Sequence, residues 1–228
     1  VRTHRKASAA LAVTAILVMP TTTAFARDGS GLVKAEGWFA PPSPSQLSNA
    51  LTYDVTKVPV GSRVSVVQQS GESDGGGDGV HAGEQADGAA TTVLLRVSGL
   101  LPDRMYGAHV HTEPCGRAPE AAGPHYQNVM DPNQPSTDPA YANPGNEVWL
   151  DFTTDAGGHG TAESRHDWRF RPGGARSLVI HEHHTSTGPG EAGTAGARLA
   201  CLTVPFAPTG TEGSSAGPSA AAPDRIRP

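Results

Sequence analysis

The chain of 228 residues carries 17 Lys and Arg against 22 Asp and Glu, a formal net charge of −5 with histidine neutral. That balance argues against a nucleic-acid-binding surface, which normally needs a basic patch, although one local cation can still steer a small anion. Aromatics at 5%, with 28 Gly and 20 Pro, point to loop-rich architecture around a modest core, in one domain or two small ones.

In chain order, residues 1–26 begin with Arg2, Arg5 and Lys6, pass through the apolar run LAVTAILVM and end on small residues at Ala26. This is the layout of a secretory signal peptide, and the run is too short for a retained bilayer anchor. The protein is therefore expected to be secreted or to sit in the cell envelope, extracytoplasmic, without stable membrane insertion after cleavage. Cleavage would leave 14 basic against 22 acidic residues, a net of −8.

A single all-β domain is expected over 27–206. LVKAEGWF, LTYDV, RVSVVQ (63–68) and TTVLLRVS (91–98) are its first strand candidates, and in the last of these Val93, Leu95 and Val97 share a face. Between them, Gly- and Asp-rich 70–90 reads as a flexible loop. A long proline-rich segment spans Thr112 to Glu147, and an ordered loop of that length is usually functional. VWLDFTT (148–154) and GTAESRHDWRF (160–170) flank the hairpin signal DAGGHG. RSLVIH (176–181) and ARLACLTVPF (197–206) follow, and 207–228 reads as a disordered tail. About eight strand runs without a convincing amphipathic helix predict an antiparallel sandwich or barrel. Cys115 and Cys201 are the two cysteines, most simply a disulfide in an exported chain.

GAHVH (107–111) places His109 and His111 two apart, so on a strand both leave the same face. Alone, such a pair is more often two polar residues on a wet surface. His125 in GPHY and His181 at the end of SLVIH change the weighing, because a strand pair, a loop histidine and a strand-end histidine can converge on one ion. Four imidazoles suit copper(II), whereas zinc prefers a tetrahedron.

From about Val93 to Phe206 the chain resembles the copper/zinc superoxide dismutases, with GAHVH, AAGPHY, LVIHEH and GTAGARLAC in that family's order. The resemblance implies an eight-stranded antiparallel Greek-key β-barrel, sandwich-like, with long loops. It implies copper ligation by His109, His111, His125 and His181, with His125 in the position that bridges copper to zinc. It further implies that Arg198 guides superoxide to the metal, and that Cys115 and Cys201 form the intrasubunit disulfide.

The departures are informative. The family follows its bridging histidine with two more histidines and an aspartate that hold zinc. Here no histidine lies between His125 and His159, and Asp131, Asp138, Glu147 and Asp151 are a poor substitute. Copper without zinc is the expectation, in a site opened to solvent by a short His181–Arg198 segment. Glu147 is the candidate partner for the His125 nitrogen that zinc would have held. His183 and His184 read as solvated, His159 and His166 as facing water, His81 as without a role, and Trp149 and Trp168 as packing residues.

The expected activity is copper-dependent superoxide dismutation. The alternative is a non-catalytic copper-binding or copper-delivery protein on the same scaffold, since fold does not fix function. A cupin-type site lacks its glutamate at the right distance, because Glu113 is too near His111 and Glu120 too far. A zinc hydrolase would lack a general base and leave Arg198 unexplained.

Overall fold

The computed structural model describes residues 31–43, 48–71 and 90–206. The expectations for 1–26, for most of 70–90 and for the tail from 207 lie outside those residues. Among the described residues, nine strands and one short 3₁₀ turn (Pro119–Ala122) make up the regular structure.

Two antiparallel sheets face each other. One has the order β1 (Leu32–Trp38), β3 (Arg63–Ser70), β4 (Thr91–Ser98), β7 (Gly160–His166). The other runs β2 (Ala50–Thr52), β9 (Arg198–Thr203), β8 (Ser177–His181), β5 (Met105–His111), β6 (Phe152–Thr153). Neighbours are often distant in sequence, as β5 beside β8 and β4 beside β7. This is the all-β, sandwich-like fold expected from the strand runs.

Between the sheets, Val64, Val66, Val93, Leu95 and Val97 meet Ala108, Val110, Leu178, Ile180 and Leu202, all buried. Each such large side chain contributes about 1.5–3 kcal/mol through burial. Tyr106 stacks on Phe152 with ring centroids 5.2 Å apart. TTVLLRVS is β4 residue for residue, whereas three other runs are shorter than their hydrophobicity suggests. LTYDV yields only Ala50–Thr52, because the Asp54 carboxylate accepts the backbone N–H groups of Thr56 and Lys57 and turns the chain. VWLDFTT contributes β6 alone to the ladders, since Trp149 and Glu147 make isolated bridges to His109 and Gln127. In GTAESRHDWRF the strand stops at His166, and that histidine is 5% exposed rather than facing water. It is bonded to the Ser164 hydroxyl and lies against Trp168 with ring centroids 4.2 Å apart.

The outer face of the second sheet positions the site. A smaller apolar cluster there joins Ala122, Val179 and Cys201, with Tyr53 and Cys115 against it. Cys115 and Cys201 form a disulfide with Cα atoms 5.7 Å apart, pinning the long loop to β9.

Candidate metal centre

β5 sends Tyr106, Ala108 and Val110 into the core and Gly107, His109 and His111 to the other face, as the two-residue period requires. Gly107 needs its lack of a side chain, because a Cβ there would lie 2.4 Å from the carbonyl oxygen of His183. His125 reaches the same face because its segment pairs with the end of β5. Tyr126 N–H donates to Val110 O at 2.8 Å, and His125 bridges to His111. His181 pairs across from Gly107 on β5.

A bulge completes the set. Ile180 pairs with Ala200 but His181 pairs with Arg198, so Leu199 is the extra residue on β9. Such a bulge re-aims a side chain, and here it sets Arg198 beside His181.

One ring nitrogen from each of His109, His111, His125 and His181 lies within 4.8 Å of all the others. His109 and His111 are fully buried and His181 nearly so, while the His125 side chain is 17% exposed. Ring centroids of His109 and His125 are 4.1 Å apart, and those of His109 and His181 4.8 Å. A pocket of about 300 Å³ lined by His125, His181 and Arg198 opens onto the cluster between residues 134–137 and 193–196.

The nitrogens that face away from the cluster are engaged. His111 Nδ1 meets Gly123 O at 2.9 Å, and His181 Nδ1 meets Gly196 O at 3.5 Å. His125 Nδ1 meets Glu147 Oε2 at 2.8 Å, and His109 Nε2 meets the Thr185 hydroxyl at 2.6 Å. Carbonyl oxygens only accept, so His111 and His181 carry their protons on Nδ1 and oppose two lone pairs at Nε2, 3.3 Å apart. His109 Nδ1 is buried without a hydrogen-bond partner. Opposed lone pairs and an orphaned buried nitrogen are costly unless a cation sits among them. The residues therefore fit a nitrogen-ligated metal ion.

Burial first, then the neighbouring histidines, hold His109 and His111 well below the usual imidazole range. Burial likewise pushes His181 down to about 3. All three are neutral near pH 7, as metal ligation requires.

Glu147 stands where the sequence suggested, as the partner of His125. It is buried, and besides His125 it accepts the Gln127 side-chain amide and the Trp149 indole N–H, each at 2.8 Å. Trp149 is thus more than a packing residue. Asp151 also joins the site, hydrogen-bonded to Thr185. The missed signal was Glu147, Trp149 and Asp151 at two-residue spacing, which on an extended segment puts all three on one face.

Arg198 donates to Pro119 O at 3.1 Å and Gly123 O at 2.8 Å. Gly123 O therefore ties this guanidinium to His111. Burial lowers the Arg198 pKa, but a guanidinium remains charged at neutral pH. His183 and His184 are exposed, and His159 is on the surface.

Fold and site together define the class: a two-sheet β protein with four imidazoles gathered on the outer face of one sheet. Residues 78–204, more than half of the chain, match the family model of copper/zinc superoxide dismutase (SODC), and the chain belongs to that family. Among solved structures it is similar to the Cu/Zn superoxide dismutase from Brucella abortus, at 19% identity over 62% of this chain and 87% of that one, TM-score 0.40. It is also similar to a mutant SOD-like protein from Bacillus subtilis, at 18% identity over 61% of this chain and 88% of that one, TM-score 0.42. No curated protein matches the chain.

Proposed function

We propose that this protein is an extracytoplasmic superoxide dismutase that uses copper held by His109, His111, His125 and His181, without zinc. One observation carries the reading: four ring nitrogens gathered within 4.8 Å, the opposite nitrogen of each ring bonded to an oxygen. When bound, copper supplies one-electron redox chemistry, in which one superoxide is oxidised to dioxygen and a second, with two protons, is reduced to hydrogen peroxide.

The protein's own groups do the rest. Arg198 lines the pocket beside His125 and His181, where its charge draws in and orients a small anion. That attraction weakens as salt screens it. Two backbone carbonyls already hold the guanidinium, so little freedom is lost when the anion docks. Glu147 fixes a proton on His125 Nδ1 and turns the Nε2 lone pair toward the cluster, where it would hold copper and, once released from the ion, would take up a proton and return it. His125 also lines the pocket, within reach of water.

The zinc-free reading rests on Glu147 occupying the His125 nitrogen that zinc holds in zinc-containing relatives, and on the lack of histidine between His125 and His159. Export is supported by the layout of residues 1–26 and by a disulfide suited to an oxidising compartment.

The test is metal content and superoxide removal in the purified protein and in His181→Ala and Arg198→Ala. One copper per chain without zinc is expected. His181→Ala loses copper and activity, and Arg198→Ala keeps copper but works more slowly and with less salt dependence. Copper bound tightly with no superoxide removal would favour the non-catalytic copper-carrier reading.

A further inference from the structure

We propose that Thr185 is a positioning residue whose hydroxyl, standing between Asp151 and His109, locks the His109 ring in its Nε2–H form and so presents Nδ1 to the metal. The inference rests on the copper reading above, which it deepens.

The direction of each hydrogen bond follows from what each group can do. Asp151 Oδ2 accepts the Thr185 backbone N–H at 2.7 Å, and Oδ1 accepts the Ala108 backbone N–H at 3.3 Å. The Thr185 hydroxyl lies 2.7 Å from Oδ1. An ionised carboxylate only accepts, so the single hydroxyl proton goes to Asp151. The hydroxyl oxygen, 2.6 Å from His109 Nε2, is then left to accept, and Nε2 must carry the ring proton. That leaves Nδ1 with a free lone pair, and Nδ1 is the buried atom without a partner.

His109 is the odd member of the set. The other three rings engage an oxygen through Nδ1, whereas His109 does so through Nε2. Asp151 cannot hold the ring unaided, because its Oδ1 is 3.8 Å from His109 Nε2, beyond a hydrogen bond. The hydroxyl fills that gap.

The relay is anchored at both ends. Thr185 belongs to the connection between β8 and β9, which is laced by His183 N–H to Ala195 O at 2.9 Å and Ser186 N–H to Thr194 O at 2.8 Å. Asp151 immediately precedes β6, which pairs with the start of β5. Thr185 therefore couples the placement of the β8–β9 connection to a metal ligand on β5.

Thr185→Val keeps the shape and removes the hydroxyl, and Thr185→Ser keeps the hydroxyl. Two readouts are taken on the full chain. In metal-free protein, ring ¹⁵N shifts from long-range ¹H–¹⁵N spectra, assigned with His109→Gln, report the tautomer. Competition with a chelator then measures copper(II) affinity. The expected result is Nε2–H at His109 in wild type and Thr185→Ser, with that preference lost in Thr185→Val. Copper affinity in Thr185→Val should fall about ten- to a hundredfold, while Thr185→Ser stays close to wild type.

A wild-type His109 protonated at Nδ1, or Thr185→Val with unchanged tautomer and affinity, overturns the relay. Should Thr185→Val fail to fold, the wild-type and Thr185→Ser spectra still decide it. A wild-type protein that binds no copper overturns the site reading instead, while the tautomer spectrum continues to test the relay.

Discussion

β4 and β5 are nearly equal in length, eight and seven residues, yet they are built differently. β4 alternates, with Val93, Leu95 and Val97 inward and Thr92, Leu94 and Arg96 outward. β5 is buried on both faces after its first residue. Its second face is covered by a polar layer, with His109, His111, Gln127, Glu147 and Asp131 all buried. In the first sheet, backbone ladders hold the strands side by side and apolar burial covers their inner face. Over the second, the buried polar groups have partners except His109 Nδ1, the nitrogen left for a metal, so the same burial that stabilises β4 makes the region over β5 vulnerable to any further unpaired group.

Acid should separate the two regions most strongly. The folded protein holds His109, His111 and His181 below the imidazole value of 6.5, whereas in the first sheet His166 alone is shifted this way. Each such ring binds a proton more readily when unfolded. The stability of the metal-free protein is therefore complete above about pH 6.5 and is lost as pH falls, with the His181 contribution ending near pH 3. Unfolding midpoints measured across that window should drop steadily, and less so in copper-loaded protein, where metal competes with protons. A flat profile in metal-free protein would mean that the three rings are not buried together.

Leu95→Ala breaks the other side of the comparison. It should cost about 2–5 kcal/mol in denaturant unfolding, while copper affinity in the folded fraction stays unchanged. Glu147→Gln should act on the site, at some cost in stability as well. Its amide oxygen cannot satisfy three donors, and its NH₂ group faces N–H groups that also donate. A ten- to hundredfold loss in copper affinity or activity is expected, of the order seen when such supporting partners are removed. The smallest effect belongs to the surface. Glu182→Gln, which breaks a partly exposed ion pair with Lys57 at 2.7 Å, should change stability by under about 1 kcal/mol.

The same contrast explains what the sequence made legible. β4 could be read directly because its alternation of apolar and polar residues matches its one buried and one more exposed face. The gathering of the four histidines and the place of Arg198 beside His181 were legible through their motifs, and the place of Glu147 through its chemistry and position after His125. Thr185, Gln127 and the indole of Trp149 were not. The partners of Thr185 and Gln127 lie 76 and 20 residues away, and neither residue type marks what it will face, while Trp149 was marked only by its two-residue spacing from Glu147. His166 was misjudged for a related reason: it ends β7, but the chain then turns so that Trp168 covers it.

The most direct test is the electron paramagnetic resonance spectrum of the copper(II)-loaded protein, quantified against protein concentration. Four imidazole rings closing on one ion predict a single signal of one copper per chain, with coupling to four nitrogens and loss of one nitrogen in His125→Ala. Coupling to two nitrogens or fewer, or a spectrum unaltered by His125→Ala, would contradict the account.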